Sequence, residues 1–201
     1  MSLAGTTRPL DDRLLTELAT RLARARRLWQ PHVVHHPDER QPVRLFATDR
    51  CEAWVIGWMP GQGVELHDHG DAAGALSVID GTLVDLIAID RRLRPRSLSA
   101  GTTILLPAGT VHDVVAPGPE PATSIHVYSP PLTSMTYYEG PGGAAVRSSL
   151  VSPELAGLRH RSLSTGGGRG RHRRRRARRA RGTRARTVPP RHRDPRSTSS
   201  R

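Results

Sequence analysis

The sequence predicts an all-β barrel or sandwich with one amphipathic helix at its N-terminal end and a disordered basic tail at its C-terminal end. Three observations carry this. Between Val43 and Tyr138, short β-rich runs alternate with turns of Gly, Pro and Asp. Helical periodicity is confined to residues 12–28, and after Leu158 the composition collapses into an arginine-rich stretch. A chain of 201 residues holds one ordinary domain. The expected division is a helical and connecting segment over 1–42, a β domain over 43–158 and the tail over 159–201.

In residues 12–28, DRLLTELATRLARARRL, the side chains of Leu14, Leu18, Leu22 and Ala25 fall on one stripe, and Asp11 or Asp12 is available as a cap. Residues 30–42, QPHVVHHPDERQP, contain three prolines and read as a connecting segment. The β runs follow: AWVIGWM, GALSVID, TLVDLIAI, TTILLPA, HDVVA and TSIHVYS. Their turns fall at PGQG, IDGT, PAGT and APGPEP, which is a barrel or sandwich pattern.

The net charge of +13 is concentrated at one end. Residues 159–201 hold 17 of the 31 basic residues and a single acid, Asp194, giving +16, whereas 1–158 hold 14 arginines against 17 acids, giving −3. The β domain therefore carries no electrostatic sign of nucleic acid or membrane binding. All the basic residues are Arg, as a GC-rich genome would produce. The tail has no aromatic and almost no aliphatic residue, so it cannot bury enough to offset chain entropy. An Arg-rich segment can neutralise phosphates, but its composition favours an inert extension or an out-of-phase reading of GC-rich sequence.

No stretch is apolar enough to span a bilayer, and MSLAGTTRPLDDRLL lacks the features of a secretory signal, so a cytoplasmic monomer is expected. Cys51 is the only cysteine, which excludes an internal disulfide and a thiolate cluster. It reads as a small hydrophobe at a strand start. Any metal site must be built from His and carboxylates.

In HDH, the period of a strand points His67 and His69 to one side and Asp68 to the other. Taken alone, this fits surface histidines as well as metal ligands. The flanking residues add to it. Gly61, five residues, His67, one residue, His69, eleven residues and Gly81 form one block; Gly101, five residues, Pro107, Ala108, Gly109, two residues and His112 form a second. Both resemble the two motifs of the cupin superfamily, which implies a double-stranded β-helix, or jelly-roll barrel. Two positions depart from that pattern. The usual Glu of the first motif is missing near Ala73 and Gly74, and the usual Asn of the second is Ala116. Three neutral histidines are then left to hold the metal.

WMPGQGVELHDHGDAAGALSVIDGTLVDL, followed by VHDVV and TSIHVYSPPLTSMTYYE, resembles the bacterial cysteine dioxygenases over roughly residues 43–139. The resemblance implies Fe(2+) held by His67, His69 and His112, with Ser124, His126 and Tyr128 as a relay. Alternation along a strand gives those last three one inward face, with Ile125 and Val127 on the other. Arg44 matches the family's carboxylate-binding arginine, and Trp58 an aromatic near its site. Where mammalian members carry a cysteine crosslinked to the relay tyrosine this chain has Gly74, and Pro42 replaces a tyrosine near the substrate arginine.

The implied activity is an iron-dependent thiol dioxygenase converting L-cysteine and O2 to cysteine sulfinic acid. 3-Mercaptopropionate is the nearest alternative substrate, and a metal- or ligand-binding cupin sensor is the alternative of another class. Three neutral imidazoles leave the full charge of a divalent ion on the site, which favours a thiolate as incoming ligand. Imidazole sites also accept Zn, Ni and Cu, so the sequence does not name the metal.

Overall fold

The computed structural model describes residues 8–150. The tail expected to be disordered, 159–201, lies outside the described residues. Helix α1 (Asp12–Arg24) starts where the sequence offers a cap: Leu14 N–H donates to Asp11 Oδ1 at 2.8 Å. It closes at Ala25, whose N–H donates to the carbonyls of Arg21 and Leu22, and a short helix α2 (Arg26–Trp29) follows. The buried face is Leu15, Ala19 and Leu22, with Leu18 partly covered, while Leu14 is 46% exposed. The expected stripe through Leu14 and Ala25 is thus rotated. Leucines at 14, 15, 18 and 22 support two overlapping stripes, and small Ala19 lets the helix sit close against a sheet.

Eleven strands follow: β1 (Val43–Ala47), β2 (Glu52–Trp58), β3 (His67–Asp68), β4 (Ala73–Asp80), β5 (Thr82–Ile89), β6 (Arg92–Ser99), β7 (Thr103–Leu106), β8 (His112–Val115), β9 (Ala122–Ser129), β10 (Ser134–Tyr138) and β11 (Ala145–Leu150). They form two antiparallel sheets, ordered β1-β2-β9-β4-β7 and β11-β10-β3-β8-β5-β6. This is the jelly-roll barrel of the cupin fold.

Strands β2 and β9 are buried on both faces. Ala53, Val55, Ile125 and Val127 face α1 with Leu15, Ala19 and Leu22. Ile56 and Trp58 face inward with Leu76, Val78, Leu83, Leu98, Leu106 and Val114. The five-stranded sheet therefore lies between a helix and the barrel interior, and α1 shares a core with it. No described helix is long and apolar enough to cross a membrane.

The segment before β1 is strapped across the barrel. Gln62 Nε2 donates to His36 O at 2.8 Å, and His35 Nε2 lies 3.0 Å from Ala122 O. At Gly57 a Cβ would stand 2.2 Å from Val34 O, so only glycine lets the strap cross β2. Gly81, with φ +74°, turns β4 into β5 where a Cβ would strike Pro121 O at 2.5 Å.

Candidate metal centre and active site

His67 on β3, His69 just beyond it and His112 on β8 converge because His67 and His112 are direct cross-strand partners. Each offers a ligand atom, and all three atoms lie within 4.8 Å of one another. Nε2 of His67 and Nε2 of His69 are 3.1 Å apart. Two nitrogens bound to one ion at about 2.0–2.1 Å would be separated by roughly 3–3.4 Å.

The tautomers are set from outside. Nδ1–H of His67 donates to Glu65 O at 2.7 Å, and Nδ1–H of His112 donates to Asp85 Oδ1 at 2.7 Å. Both rings thus turn an Nε2 lone pair inward. Nε2 of His112 is buried and has no hydrogen-bond partner among the described residues. Burial, then the neighbouring histidines, hold His67 and His69 well below the usual imidazole range, so they stay neutral. Such a donor set fits a divalent transition metal.

Behind the three histidines stands a charged pair that the sequence reading did not single out. Asp85 is fully buried on β5, and its Oδ2 accepts from Arg96 Nη2 at 2.6 Å and Nε at 3.2 Å. Burial pushes Asp85 up, but His112 and then Arg96 outweigh it and hold the carboxyl below its usual range. The signal was present in TLVDLIAI, where an Asp shares the inward parity of Leu83.

The opposite wall comes from β9. Ser124 Oγ lies 2.9 Å from His126 Nε2, and His126 Nδ1 lies 3.2 Å from the Tyr128 hydroxyl. Trp58 Nε1–H donates to Ser124 Oγ at 2.9 Å. The buried Ser124 hydrogen needs an acceptor, and His126 Nε2 is the one within reach among the described residues. His126 then carries its hydrogen on Nδ1 and donates to Tyr128 oxygen, leaving the Tyr128 hydrogen free for the cavity. Burial, with Arg40 adding to it, pushes His126 down to about 3. Burial raises Tyr128, which stays protonated. Gly74 faces that ring, where a Cβ would sit 3.2 Å from Tyr128 Cε1, so no thiol touches the tyrosine.

A cavity of about 40 Å³ joins the two walls. Its lining includes His67, His69, His112, His126 and Tyr128, with apolar Ile56, Val64, Val114 and Leu132. One water requires roughly 10–15 Å³ of such space, so the cavity suits a small ligand.

Arg40 also lines the cavity, and Arg44 does not. Arg40 is buried with its Cζ 4.9 Å from the Trp58 ring centroid, and its Nε has no hydrogen-bond partner among the described residues. Burial lowers its pKa, but a guanidinium remains protonated. Arg44, by contrast, lies on edge strand β1 with its side chain 32% exposed. Its guanidinium rests over Trp54 at 5.6 Å and approaches Glu52 Oε2 at 3.8 Å. Glu52 in turn accepts from Leu132 N–H at 3.0 Å, so Arg44 steadies the cavity rim from outside. Trp58, expected beside the substrate, is fully buried behind the cavity, under Arg40 and Ser124. Arg40 sits in a proline-broken segment with no periodicity, so nothing in the sequence pattern singles it out. Cys51 is buried just before β2, its sulfur 3.7 Å from Thr48 Oγ1.

Among solved structures, the chain is similar to a protein from Thermus thermophilus at 21% identity, with a TM-score of 0.46, covering 53% of this chain and 94% of that one. It is similar to a Klebsiella pneumoniae protein with a double-stranded β-helix domain at 20% identity, TM-score 0.47, covering 61% and 93%. A cupin superfamily protein from Desulfitobacterium hafniense matches at 12% identity, TM-score 0.44, covering 51% and 87%. The family model for cysteine dioxygenase type I matches residues 15–140, well over half of the chain and inclusive of most of α1, both histidine blocks and strand β9. The chain belongs to the cysteine dioxygenase type I family.

Proposed function

We propose that this protein is an iron-dependent thiol dioxygenase whose substrate is L-cysteine, with His67, His69 and His112 as metal ligands. The observation that carries this reading is the placement of Arg40: a buried guanidinium opens onto the same cavity as three inward imidazoles and the Tyr128 hydroxyl. A substrate with a thiol at one end and a carboxylate at the other matches those two features.

Iron held by His67, His69 and His112 would supply the Lewis-acid and redox chemistry by which a thiol and O2 give a sulfinate. Arg40 grips the substrate carboxylate through paired N–H donors, its plane set by the Trp58 ring beneath it. Ile56, Val64, Val114 and Leu132 exclude water from the reacting end. Tyr128 presents its hydroxyl hydrogen to the reacting atoms, and Ser124 and His126 keep it pointed there. A ligand-sensing cupin has no use for such a directed donor. We assign catalysis to residues 43–158 buttressed by α1, assign none to residues 159–201, and take the enzyme to act as a cytoplasmic monomer.

The test is anaerobic loading with ferrous iron, followed by oxygen uptake and product analysis with L-cysteine, 3-mercaptopropionate and cysteamine. L-Cysteine should give the sulfinate at the highest kcat/KM. Arg40→Ala should raise the KM for L-cysteine by about tenfold to several hundredfold, the worth of a partly desolvated charge-assisted contact, with iron content unchanged. Cysteamine, which lacks the carboxylate, should lose little. Arg44→Ala should stay near the parent. A KM for L-cysteine that survives Arg40→Ala sinks the carboxylate assignment, and preference for 3-mercaptopropionate would replace the substrate.

A further inference from the structure

One ligand differs from its neighbour in what stands behind it. His67 donates its outer N–H to a neutral backbone carbonyl, Glu65 O, whereas His112 donates to a carboxylate. Strand register produces the second arrangement: Asp85 pairs with Val114 of β8, which puts His112 diagonally adjacent on the same face, and with Arg96 of β6 on the other side. The fully buried carboxylate uses one oxygen for His112 and the other for both Nε and Nη2 of Arg96. The Arg96 side chain is 38% exposed, so the chain His112–Asp85–Arg96 runs from the cavity to the surface strand.

We propose that Asp85 and Arg96 are positioning residues that act in opposition on His112 and so set the affinity and reduction potential of the metal site; this rests on the metal-binding reading above. A carboxylate on the outer N–H draws that hydrogen away and raises electron density at Nε2, making His112 a stronger donor. Arg96 neutralises the same carboxylate and limits the gain. A buried carboxylate lacking a cation would also be costly, so the arginine both stabilises and moderates.

The opposed signs make the proposal testable. The full chain and its Asp85→Asn, Arg96→Met, Arg96→Lys and His112→Ala variants are titrated anaerobically with ferrous iron against a chromophoric chelator. The reduction potential of the bound iron is then measured, along with each thermal midpoint. Asp85→Asn should weaken iron binding by about tenfold to a hundredfold and make the potential more positive. Arg96→Met should tighten binding several-fold and make the potential more negative, and Arg96→Lys should return both towards the parent. If Asp85→Asn does not fold, Arg96→Met and its lysine rescue carry the test.

A purely structural pair predicts something else: both substitutions weaken binding together as the midpoint falls, which overturns the proposal. Parent-like affinity and potential in Arg96→Met, with iron lost in His112→Ala, overturns it while leaving the metal site standing. A parent chain that takes up no iron overturns both.

Discussion

The six-stranded sheet and the loop leaving β3 supply His67, His69 and His112, while the five-stranded sheet supplies Ser124, His126 and Tyr128 to the opposite wall. The two walls are backed differently. Behind the histidine triad stands a carboxylate paired with an arginine that reaches the surface. Behind the relay stands Trp58, a neutral indole within the barrel core, and the outer face of that sheet is sealed by α1. A charged backing changes how strongly a ligand donates electrons. A neutral backing fixes the direction of a hydrogen while adding no charge to the cavity. On the proposed reading, electron density would be tuned on one side and hydrogen orientation on the other.

The largest effects should come from the metal wall. His67→Ala, His69→Ala or His112→Ala each removes a ligand, and bound iron and activity should fall together by about a hundredfold or more. Full iron occupancy in all three variants would dismantle the triad. On the relay wall the two quantities should separate. Tyr128→Phe should keep parental iron while kcat drops by about a hundredfold, the range for losing one positioned hydrogen donor. Trp58→Phe should cost about tenfold or less in kcat, through a Ser124 no longer held in one orientation. Equal loss of iron in Tyr128→Phe would show that the walls are not independent.

A smaller effect follows from pH. In the folded metal-free chain His67, His69 and His126 sit below their ordinary value of 6.5, so the unfolded chain binds more protons than the folded one as acidity rises. Their contribution to stability is complete above 6.5 and is lost as pH falls, down to about 3 for His126. Thermal midpoints of the metal-free chain should therefore decline steadily from about pH 7 to about pH 4. A flat profile would mean these rings are hydrated. The smallest effect lies outside both walls: truncation after Leu158 should leave the midpoint and oxygen uptake unchanged, since residues 159–201 hold no aromatic residue and almost no aliphatic one.

Much of the site was legible because it obeys local periods. A strand repeats every two residues, so Ser124, His126 and Tyr128 share a face wherever β9 lies, and the glycines around HDH and His112 mark turns that any barrel of this kind requires. The Asp11 cap was legible for the same reason. The helical stripe was not, because two leucine registers satisfy one period and only contact with the sheet selects Leu15, Ala19 and Leu22.

By itself the sequence thus determined an all-β pattern and the shared face of Ser124, His126 and Tyr128 through spacing along the chain, and the grouping of His67, His69 and His112 through its resemblance to the cupin motifs. Tertiary structure alone decided the rest. It brought Arg40 rather than Arg44 to the cavity, because the strap before β1 folds over the barrel while edge strand β1 holds Arg44 against Trp54. It set Asp85 between His112 and Arg96 through the pairing of β5 with both β8 and β6. It placed Trp58 behind Ser124 through the pairing of β2 with β9. These contacts join residues far apart in the chain, and their partners are chosen by strand register and by the path of an irregular segment, neither of which local periodicity encodes.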